Sequence, residues 1–327
     1  MQHISEKKSF RKIEILYPFS NSSYQNFMQG FADSLIDNGF KKREPYQIPW
    51  KIRLFIAKLK LCRNFSFLTS SKKHLIVCGG GYIDSFAFPY AYNTNIIPVL
   101  WDTWPRYWSH LINSFKRNNI RLAFFTQKQV AEYVTSKIPG IKCVHLPEGL
   151  EQNGYSKGLS LKERNIDLLE MGRLYPKLHF ELLRIQDLSL IHLYQKGPEL
   201  LFPTFEDLSK ALSDTKISFC FPRCDTHIEH AGSVETLTQR YWECMYSRTL
   251  ILGRAPKELV DLLGYNPVID INWDNVGLQI LGILGNIEKY QPLVDRNYEY
   301  AVEFATWKSR IPFIEEVLSK YLDDEKK

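Results

Sequence analysis

Residues 234–268 combine acidic, basic and aromatic side chains in a spacing typical of a ligand site. Glu235 and Glu243 are eight positions apart, so a helix that begins near residue 235 places both on one face, about two turns apart. Glu243 lies among apolar residues, where an unpaired charge is costly, and a ribose diol is a suitable partner for a carboxylate. Arg240 and the helix N-terminus suit a diphosphate. The alternative is two surface glutamates paired with Arg240.

A second group of charged residues follows the predicted strand 166–171. Gly172 ends this strand, and Arg173 and Lys177 follow it, four positions apart. An arginine provides a planar fork for an anion and a lysine provides a point charge. The alternative is a strand-to-helix loop with ordinary surface cations.

The order and spacing of these segments resemble those of GT-B fold glycosyltransferases. The retaining family with a Glu-x7-Glu signature and the CgeB-like glycosyltransferases look closest. Residues 172–177 resemble the G-R-L-x-x-x-K signature of that fold. Residues 142–151 resemble the turn that closes its N-terminal domain, with Glu148 where asparagine is usual, and Trp307 resembles a residue of its tail helix.

The resemblance implies the roles of the donor residues. Glu243 holds the nucleotide ribose, and Arg173 and Lys177 neutralise the diphosphate. Glu235 contacts the transferred sugar and is, with Asp102, a candidate catalytic residue. Fixed cations of this kind stabilise a leaving diphosphate without a metal, so no metal or other cofactor is expected. The remaining donor-site candidates lie in or near the same segments: Arg223, Thr238, Arg240 and Tyr241.

Acceptor binding is expected in the N-terminal half. Residues 99–108 follow a predicted strand and contain Asp102, Trp104 and Arg106. Asp102 is a candidate general base or acceptor-hydroxyl ligand, and tryptophans stack on sugar faces. Gly80, Gly81 and Tyr82 follow another strand, where glycine lets the backbone approach a ligand. The alternatives are an Asp helix cap with core tryptophans, and a simple tight turn.

Residues 220–230 carry cysteines and histidines that superficially resemble a zinc set: Cys220, Cys224, His227 and His230. Cys220 belongs to a predicted buried strand, and the spacing is too compact for the usual paired knuckles. We therefore interpret this segment as a loop over the donor, in which Arg223 contacts phosphate or sugar.

Residues 41–63 are strongly basic. They contain eight Lys or Arg residues and one Glu, a charge of +7, whereas the whole chain carries +6. Apolar residues interleave with the cations, which suits an anionic membrane or a lipid-diphosphate acceptor. The alternative is a solvated helix with one buried side.

Predicted strands and helices alternate along the chain. Short apolar runs typical of buried strands alternate with amphipathic helices, which predicts parallel sheets covered on both faces. The polar segment 149–164 suggests a boundary, with an acceptor domain at 1–152 and a nucleotide-sugar domain at 153–327. The fold class predicted is α/β, with two Rossmann-like doubly wound domains facing across a cleft. Tail helices at about 293–320 should pack back on the first domain.

Composition sets the remaining expectations. The 327 residues are 44% hydrophobic and 24% charged, typical of a globular protein. The mild net charge argues against a nucleic-acid partner. Six sparse cysteines indicate buried thiols in a reducing cytoplasm, and no secretory leader is visible. We expect the protein either in the cytoplasm or peripherally at the inner face of the plasma membrane.

The function expected is transfer of a sugar from a nucleotide-sugar donor to a glycan or lipid-linked acceptor. By resemblance it belongs to bacterial surface polysaccharide or glycan synthesis. Two alternatives remain: a sugar-nucleotide 2-epimerase of the same fold, for which no clustered acids and histidines are visible, and a non-catalytic sugar-nucleotide or glycan-binding module.

Overall fold

Eleven strands build two sheets in the computed structural model, which describes residues 13–18, 27–65, 73–172, 174–185 and 189–325. The strands of the first sheet are β1 (Ile13–Leu16), β2 (Lys41–Arg43), β3 (His74–Gly79), β4 (Asn95–Leu100), β5 (Leu122–Phe125) and β6 (Lys142–His145). Those of the second sheet are β7 (Ile166–Leu169), β8 (His192–Leu193), β9 (Thr215–Cys220), β10 (Leu250–Gly253) and β11 (Ile269–Asp270).

Helices connect the strands and close the chain. Those of the first half are α1 (Phe27–Asp37), α2 (Trp50–Lys58), α3 (Ile83–Ala87), α4 (Trp108–Arg117) and α5 (Lys128–Lys137). Those of the second half are α6 (Pro176–Leu183), α7 (Phe205–Ser213), α8 (Arg223–Thr226), α9 (Ile228–Ala231), α10 (Gln239–Tyr246), α11 (Lys257–Leu263), α12 (Val276–Leu284), α13 (Gln291–Phe304) and α14 (Ile311–Asp324).

All strand pairs in both sheets are parallel. The first sheet has the order β2-β1-β3-β4-β5-β6 and the second β11-β10-β9-β7-β8. Each order reverses direction once, between β1 and β3 and between β7 and β9. Ligands of open α/β sheets bind at such switch points, beyond the carboxyl ends of the strands.

The apolar runs form strands because both faces of each sheet are covered. Every residue of β3 and of β10 is buried, as continuous hydrophobic runs in parallel sheets require. Two core clusters lie on the two faces of the first sheet and two on the faces of the second. The predicted fold class, α/β with two Rossmann-like sheets, is confirmed.

The start of α10 corrects the expectation from the sequence. The predicted helix begins near residue 235, but the observed one begins at Gln239, so Glu235 lies in the preceding loop. Neighbouring side chains satisfy this loop's backbone donors: Glu235 N–H donates to Gln129 Oε1 at 2.7 Å and Leu237 N–H donates to Glu258. A backbone donor with such a partner needs no helical turn. Glu235 and Glu243 therefore do not share a helix face.

The tail divides between the two sheets. Ala301 and Ala305, at the end of α13, join a core cluster of the second sheet. Trp307 and the buried residues of α14 instead join a cluster of the first, with Ile13 and Phe31. Among the described helices, none combines the length and the apolar character needed to cross a bilayer.

Candidate functional site

A cleft of about 360 Å³ lies between the two sheets. The first half of the chain contributes Phe27, Trp101, Asp102 and Glu148 to its walls; the second contributes Glu170, Met171, Tyr175, Leu178, Phe219, Phe221, Arg223, Thr226, His227, Thr238, Gln239, Arg240 and Glu243. Glu170 and Phe221 directly follow β7 and β9, the strands on either side of the switch point in the second sheet. The cleft therefore occupies the position where this topology places a ligand.

Arg240 and Glu243 present a cation and an acid to the cleft from one turn of α10. Residues three positions apart are neighbours on a helix surface. The guanidinium of Arg240 lies against the backbone of Gly172, so closely that a side chain at residue 172 would overlap it. Gly172 also has a φ of +67°, a conformation that favours glycine. Gly172 therefore allows both the tight turn after β7 and the close approach of the Arg240 guanidinium.

The Glu243 carboxyl is held by Tyr155, whose hydroxyl donates to Oε1 at 3.0 Å. Burial raises the pKa of Glu243, and Arg240 and the Tyr155 hydrogen bond partly offset the effect. Burial and the same hydrogen bond raise the pKa of the Tyr155 hydroxyl. Glu243 is thus an oriented acceptor whose charge needs further hydrogen bonds for compensation.

Two acids face the cleft from the first half of the chain. Asp102 follows β4, is exposed and has a φ of +47°, a strained conformation that clusters at functional sites. Glu148 is buried, and Gln239 Nε2 donates to its Oε1 at 3.2 Å. Burial and, secondarily, the negative charge of Asp102 raise the pKa of Glu148 well above its usual range. Glu148 is therefore held toward its neutral, hydrogen-donating form.

The main chain at Glu148 is fixed from two directions. Its carbonyl accepts hydrogen bonds from Trp242 Nε1 at 2.9 Å and from an Arg310 guanidinium nitrogen at 3.0 Å. The sequence indicates this turn only by resemblance and gives Glu148 no chemical role. Glu148 follows the last strand of the first sheet by three residues. This position at the carboxyl end of a strand could have identified it as a cleft residue.

Glu170 forms a buried cluster with two histidines. His179 Nδ1 and His192 Nε2 lie 2.7 Å and 2.9 Å from the same oxygen, Oε1. Oε2 is buried and has no hydrogen-bond partner among the described residues. The sequence shows no grouping of acids and histidines, because residues 170, 179 and 192 come together only when α6 packs beside β7 and β8. The histidines lie behind Glu170, outside the cleft lining.

Five of the predicted site residues line the cleft: Asp102, Arg223, Thr238, Arg240 and Glu243. The guanidinium of Arg223 stands 5.0 Å from the centre of the Trp104 ring, so this cation–π contact connects the two halves of the chain. Thr238 is the N-cap residue of α10.

Three predicted donor residues lie away from the lining. The Glu235 carboxylate forms an ion pair with Arg254 and accepts the backbone N–H of Lys257 at 2.8 Å. Tyr241 is buried and donates to the carbonyl of Arg254 at 2.6 Å. The Lys177 ammonium stands 3.9 Å from the centre of the Trp273 ring.

Arg173 lies outside the described residues. Its predicted contact with a diphosphate is therefore still an expectation.

The predicted acceptor residues other than Asp102 support the cleft wall without lining it. Gly80 packs against the carbonyl of Trp101, and Gly81 leaves room for the Tyr107 ring. The Tyr82 ring centre lies 5.1 Å from that of Tyr107.

Trp104 and Arg106 lie beside the second half of the chain. Trp104 is buried and carries the Arg223 contact. An Arg106 guanidinium nitrogen lies 3.4 Å from His230 Nδ1.

The cysteines and histidines of residues 220–230 do not converge. Cys220 Sγ lies 3.8 Å from Cys244 Sγ inside the core, whereas Cys224 is beside Asp225 and Arg254. Across the described ranges, no group of three or more His, Cys, Asp or Glu residues could hold a metal ion.

Comparison with solved structures identifies this arrangement of two sheets. Sucrose-phosphate synthase from Thermosynechococcus elongatus is 9% identical, with a TM-score of 0.63 over 95% of this chain and 99% of that chain. Anabaena HepE, solved in complex with UDP and glucose, is 10% identical, with a TM-score of 0.55 over 97% of this chain and 95% of that chain. The chain has the GT-B fold. No protein-family model and no curated protein sequence matches it.

Within the GT-B fold, the cleft described above lies between the two Rossmann-like units. Arg240, Glu243 and Glu170 face it from the second unit, and Asp102 and Glu148 face it from the first. The site therefore combines a cation and two acids from one unit with two acids from the other.

Proposed function

We propose that this protein is a glycosyltransferase that moves a sugar from a nucleoside-diphosphate-sugar donor to a glycan or lipid-linked acceptor. The observation that carries the proposal is the pairing of Arg240 and Glu243 on one turn of α10, in a cleft that Asp102 and Glu148 close from the other unit. The shared fold with a sucrose-phosphate synthase and with a HepE complex of UDP and glucose supports it.

In this proposal the diphosphate lies between Arg240 and the N-terminus of α10. A guanidinium presents paired donors to phosphate oxygens, and a helix N-terminus adds unpaired backbone N–H groups. Arg223 reaches the same cleft from α8, and Arg173 and Lys177 are expected to contribute further positive charge. These cations stabilise the leaving diphosphate, so the proposed reaction uses no metal.

The nucleoside would occupy the part of the cleft that Glu243 and Glu170 line. Glu243 accepts the ribose hydroxyls, and its Tyr155 hydrogen bond fixes the direction of the carboxylate. Glu170 Oε2 then accepts an N–H or O–H group of the ligand, which supplies the partner that this buried oxygen lacks among the described residues. Phe219 and Phe221 provide apolar surface for a flat base.

The acceptor would enter from the side of Asp102. An exposed aspartate can orient an acceptor hydroxyl and take its proton. Glu148, held toward its neutral form, donates a hydrogen bond to an oxygen of the sugar. The proposed contact between Glu235 and the sugar is still a prediction. It requires the Glu235 carboxylate to break its ion pair with Arg254. Retention of configuration and a place in bacterial surface polysaccharide or glycan synthesis rest on the resemblance alone.

A thermal-shift screen with and without EDTA tests the donor site. Wild-type protein is titrated with UDP, GDP, CMP, ADP and dTDP and with the corresponding sugar nucleotides. A native-state ligand raises the melting temperature by mass action. We expect one nucleoside diphosphate to do so, equally with EDTA, and Glu243→Gln to weaken its binding roughly ten- to a hundredfold, because a hydrogen bond to a charged group is lost.

Glu303→Gln, a change at an exposed glutamate of α13, is the matched control and should bind like wild type. A screen without any shift would contradict the donor site. Binding without release of nucleoside diphosphate in the presence of glycan acceptors would favour the binding module. Conversion of the donor sugar without an acceptor would favour the epimerase.

A further inference from the structure

Helix α2 exposes several large apolar side chains on one face. Ile52, Phe55 and Leu59 lie three and four positions apart, on one face, and are 49%, 59% and 51% exposed. Trp50 and Leu61 at the two ends are also about half exposed. A surface helix normally buries its apolar stripe, whereas α2 packs Ile56 and Ala57 inward and leaves a second apolar face exposed.

Arg53 holds the helix in this orientation. Its side chain is only 4% exposed, and it donates to the carbonyls of Ile48 and Tyr46 at 3.1 Å and 2.6 Å. A rotation of α2 that buried Phe55 would break these charge-assisted hydrogen bonds, which are stronger than neutral ones. The apolar face therefore stays outward as part of the folded structure.

The charge around this face has one sign. Residues 45–65 contain no Asp or Glu and, apart from the buried Arg53, four exposed Lys or Arg residues. Lys51, Lys58 and Lys60 are exposed beside the apolar side chains. A partner for this surface must combine an apolar interior with an anionic boundary, which is the chemistry of a bilayer with acidic lipids.

We propose that the α2 face, defined as Trp50, Ile52, Phe55, Leu59 and Leu61 with Lys51, Lys58 and Lys60, docks the protein on an anionic membrane surface. The aromatic and aliphatic side chains enter the boundary between headgroups and acyl chains, and the lysines contact the acidic headgroups. Tryptophan is favoured at that depth because its ring is amphipathic.

The position of α2 connects this surface with the cleft. Helix α2 packs on α3, and the Trp50 ring centre lies 5.5 Å from that of Phe86. Three residues separate the end of β3 from the start of α3, at the carboxyl edge of the sheet where Asp102 follows β4. This step rests on the proposed function: a docked enzyme would take its acceptor from the membrane, as a lipid-linked sugar.

Vesicle flotation of the full chain without nucleotide tests the docking. Wild type should float with vesicles of equimolar phosphatidylcholine and phosphatidylglycerol and not with pure phosphatidylcholine, and high salt should release it. The triple variant Ile52→Ser, Phe55→Ser and Leu59→Ser should lower the partition coefficient at least about tenfold. A second triple variant carries Lys51→Gln, Lys58→Gln and Lys60→Gln. It should lower the partition coefficient to a similar extent and make vesicle binding less dependent on salt.

The control variant replaces three exposed apolar residues elsewhere with serine, Leu159, Leu278 and Phe313, and should float like wild type. Wild type that stays unbound to acidic vesicles at low salt would overturn the proposal. An apolar or lysine variant of α2 that floats like wild type would overturn it too. So would sedimentation that shows a dimer for wild type and a monomer for the α2 variants, because the face would then be a contact between two copies of the chain. Because no donor is present, these outcomes do not depend on the transferase proposal.

Discussion

At the scale of residues, three acids in one cleft have three different environments. Glu148 is buried beside the negative charge of Asp102, Glu243 is buried beside Arg240 and Tyr155, and Glu170 shares one oxygen between two histidines. Neighbouring acids with different hydrogen-bond partners are suited to different roles. Glu148 is suited to donate a hydrogen bond, whereas Glu170 and Glu243 are suited to accept one.

The raised pKa of Glu148 predicts a pH-dependent stability. Above its ordinary value of about 4.5 the unfolded glutamate loses its proton while the folded one retains it. The native state then binds more protons, so stability is largest below that value and falls as the pH rises toward the folded pKa. Glu148→Gln should therefore raise the melting temperature at neutral pH and have little effect near pH 4. Melting curves across this range, with Glu303→Gln as a control, check the prediction; equal effects at both ends would contradict it.

Gly172 provides a steric test of Arg240. In Gly172→Ala the new methyl group would overlap the guanidinium, so we expect nucleoside-diphosphate affinity to fall at least roughly tenfold, the scale of one lost charged hydrogen bond. Gly264→Ala has a similar backbone strain, with a φ of +73° but no atom within 4 Å of the new methyl group. Titration calorimetry should show normal affinity for that control. Equal affinity in both variants would remove Arg240 from the phosphate site.

At the scale of elements, the segment between α13 and α14 connects the tail to the first sheet. Trp307 is buried between α1 and the turn after β6, with its ring centre 5.0 Å from that of Phe31 and 5.9 Å from that of Trp101. A side-chain carbon at Gly149 would come within 2.8 Å of this ring. The turn near Glu148 and the tail therefore pack as one unit.

Removal of this ring should be strongly destabilising. Trp307→Ala is expected to lower the free energy of unfolding by about 3–5 kcal/mol, through lost burial and the cavity that remains. Phe313→Ala, at a partly exposed site on α14, should cost less than about 1 kcal/mol. Urea unfolding followed by tryptophan fluorescence and circular dichroism measures both. A small loss in Trp307→Ala would mean that the tail contributes little to the first unit.

At the scale of the whole molecule, side-chain contacts bridge the two units around the cleft. Gln129 on α5 accepts the Glu235 N–H and donates to the Ser233 carbonyl at 3.1 Å. His145 at the end of β6 reaches Glu258 of α11 at 2.8 Å. These contacts order the loop before α10 and thereby the helix that carries Arg240 and Glu243.

Gln129→Ala should loosen that loop. Two hydrogen bonds at a partly exposed site contribute about 1–2 kcal/mol together, so backbone amides of residues 232–238 should exchange roughly five to thirty times faster. Gln47→Ala, at an exposed glutamine of the first unit, is the control. Hydrogen exchange read by mass spectrometry checks the prediction, and unchanged exchange in the loop would show that other contacts order it.

The α/β architecture could be predicted from the amino-acid sequence alone, because continuous apolar strands that alternate with amphipathic helices are typical of parallel sheets covered on both faces. The sequence and its resemblance to GT-B enzymes also identified Arg240, Glu243, Asp102, Arg223 and Thr238 as site candidates, and all five line the cleft. The helix start predicted near Glu235 from local spacing was wrong. Gln129, more than a hundred positions away, accepts the Glu235 N–H and holds this backbone in a loop.

Contacts between distant segments of the chain could not be predicted in this way. The tertiary structure brought Glu170 to His179 and His192, buried Glu148 beside Asp102, and turned Arg53 inward so that Phe55 faces outward. The same residue types occur in ordinary cores and on ordinary surfaces. Burial, charge and hydrogen-bond partners distinguish them, and these are set when distant segments of the chain pack together.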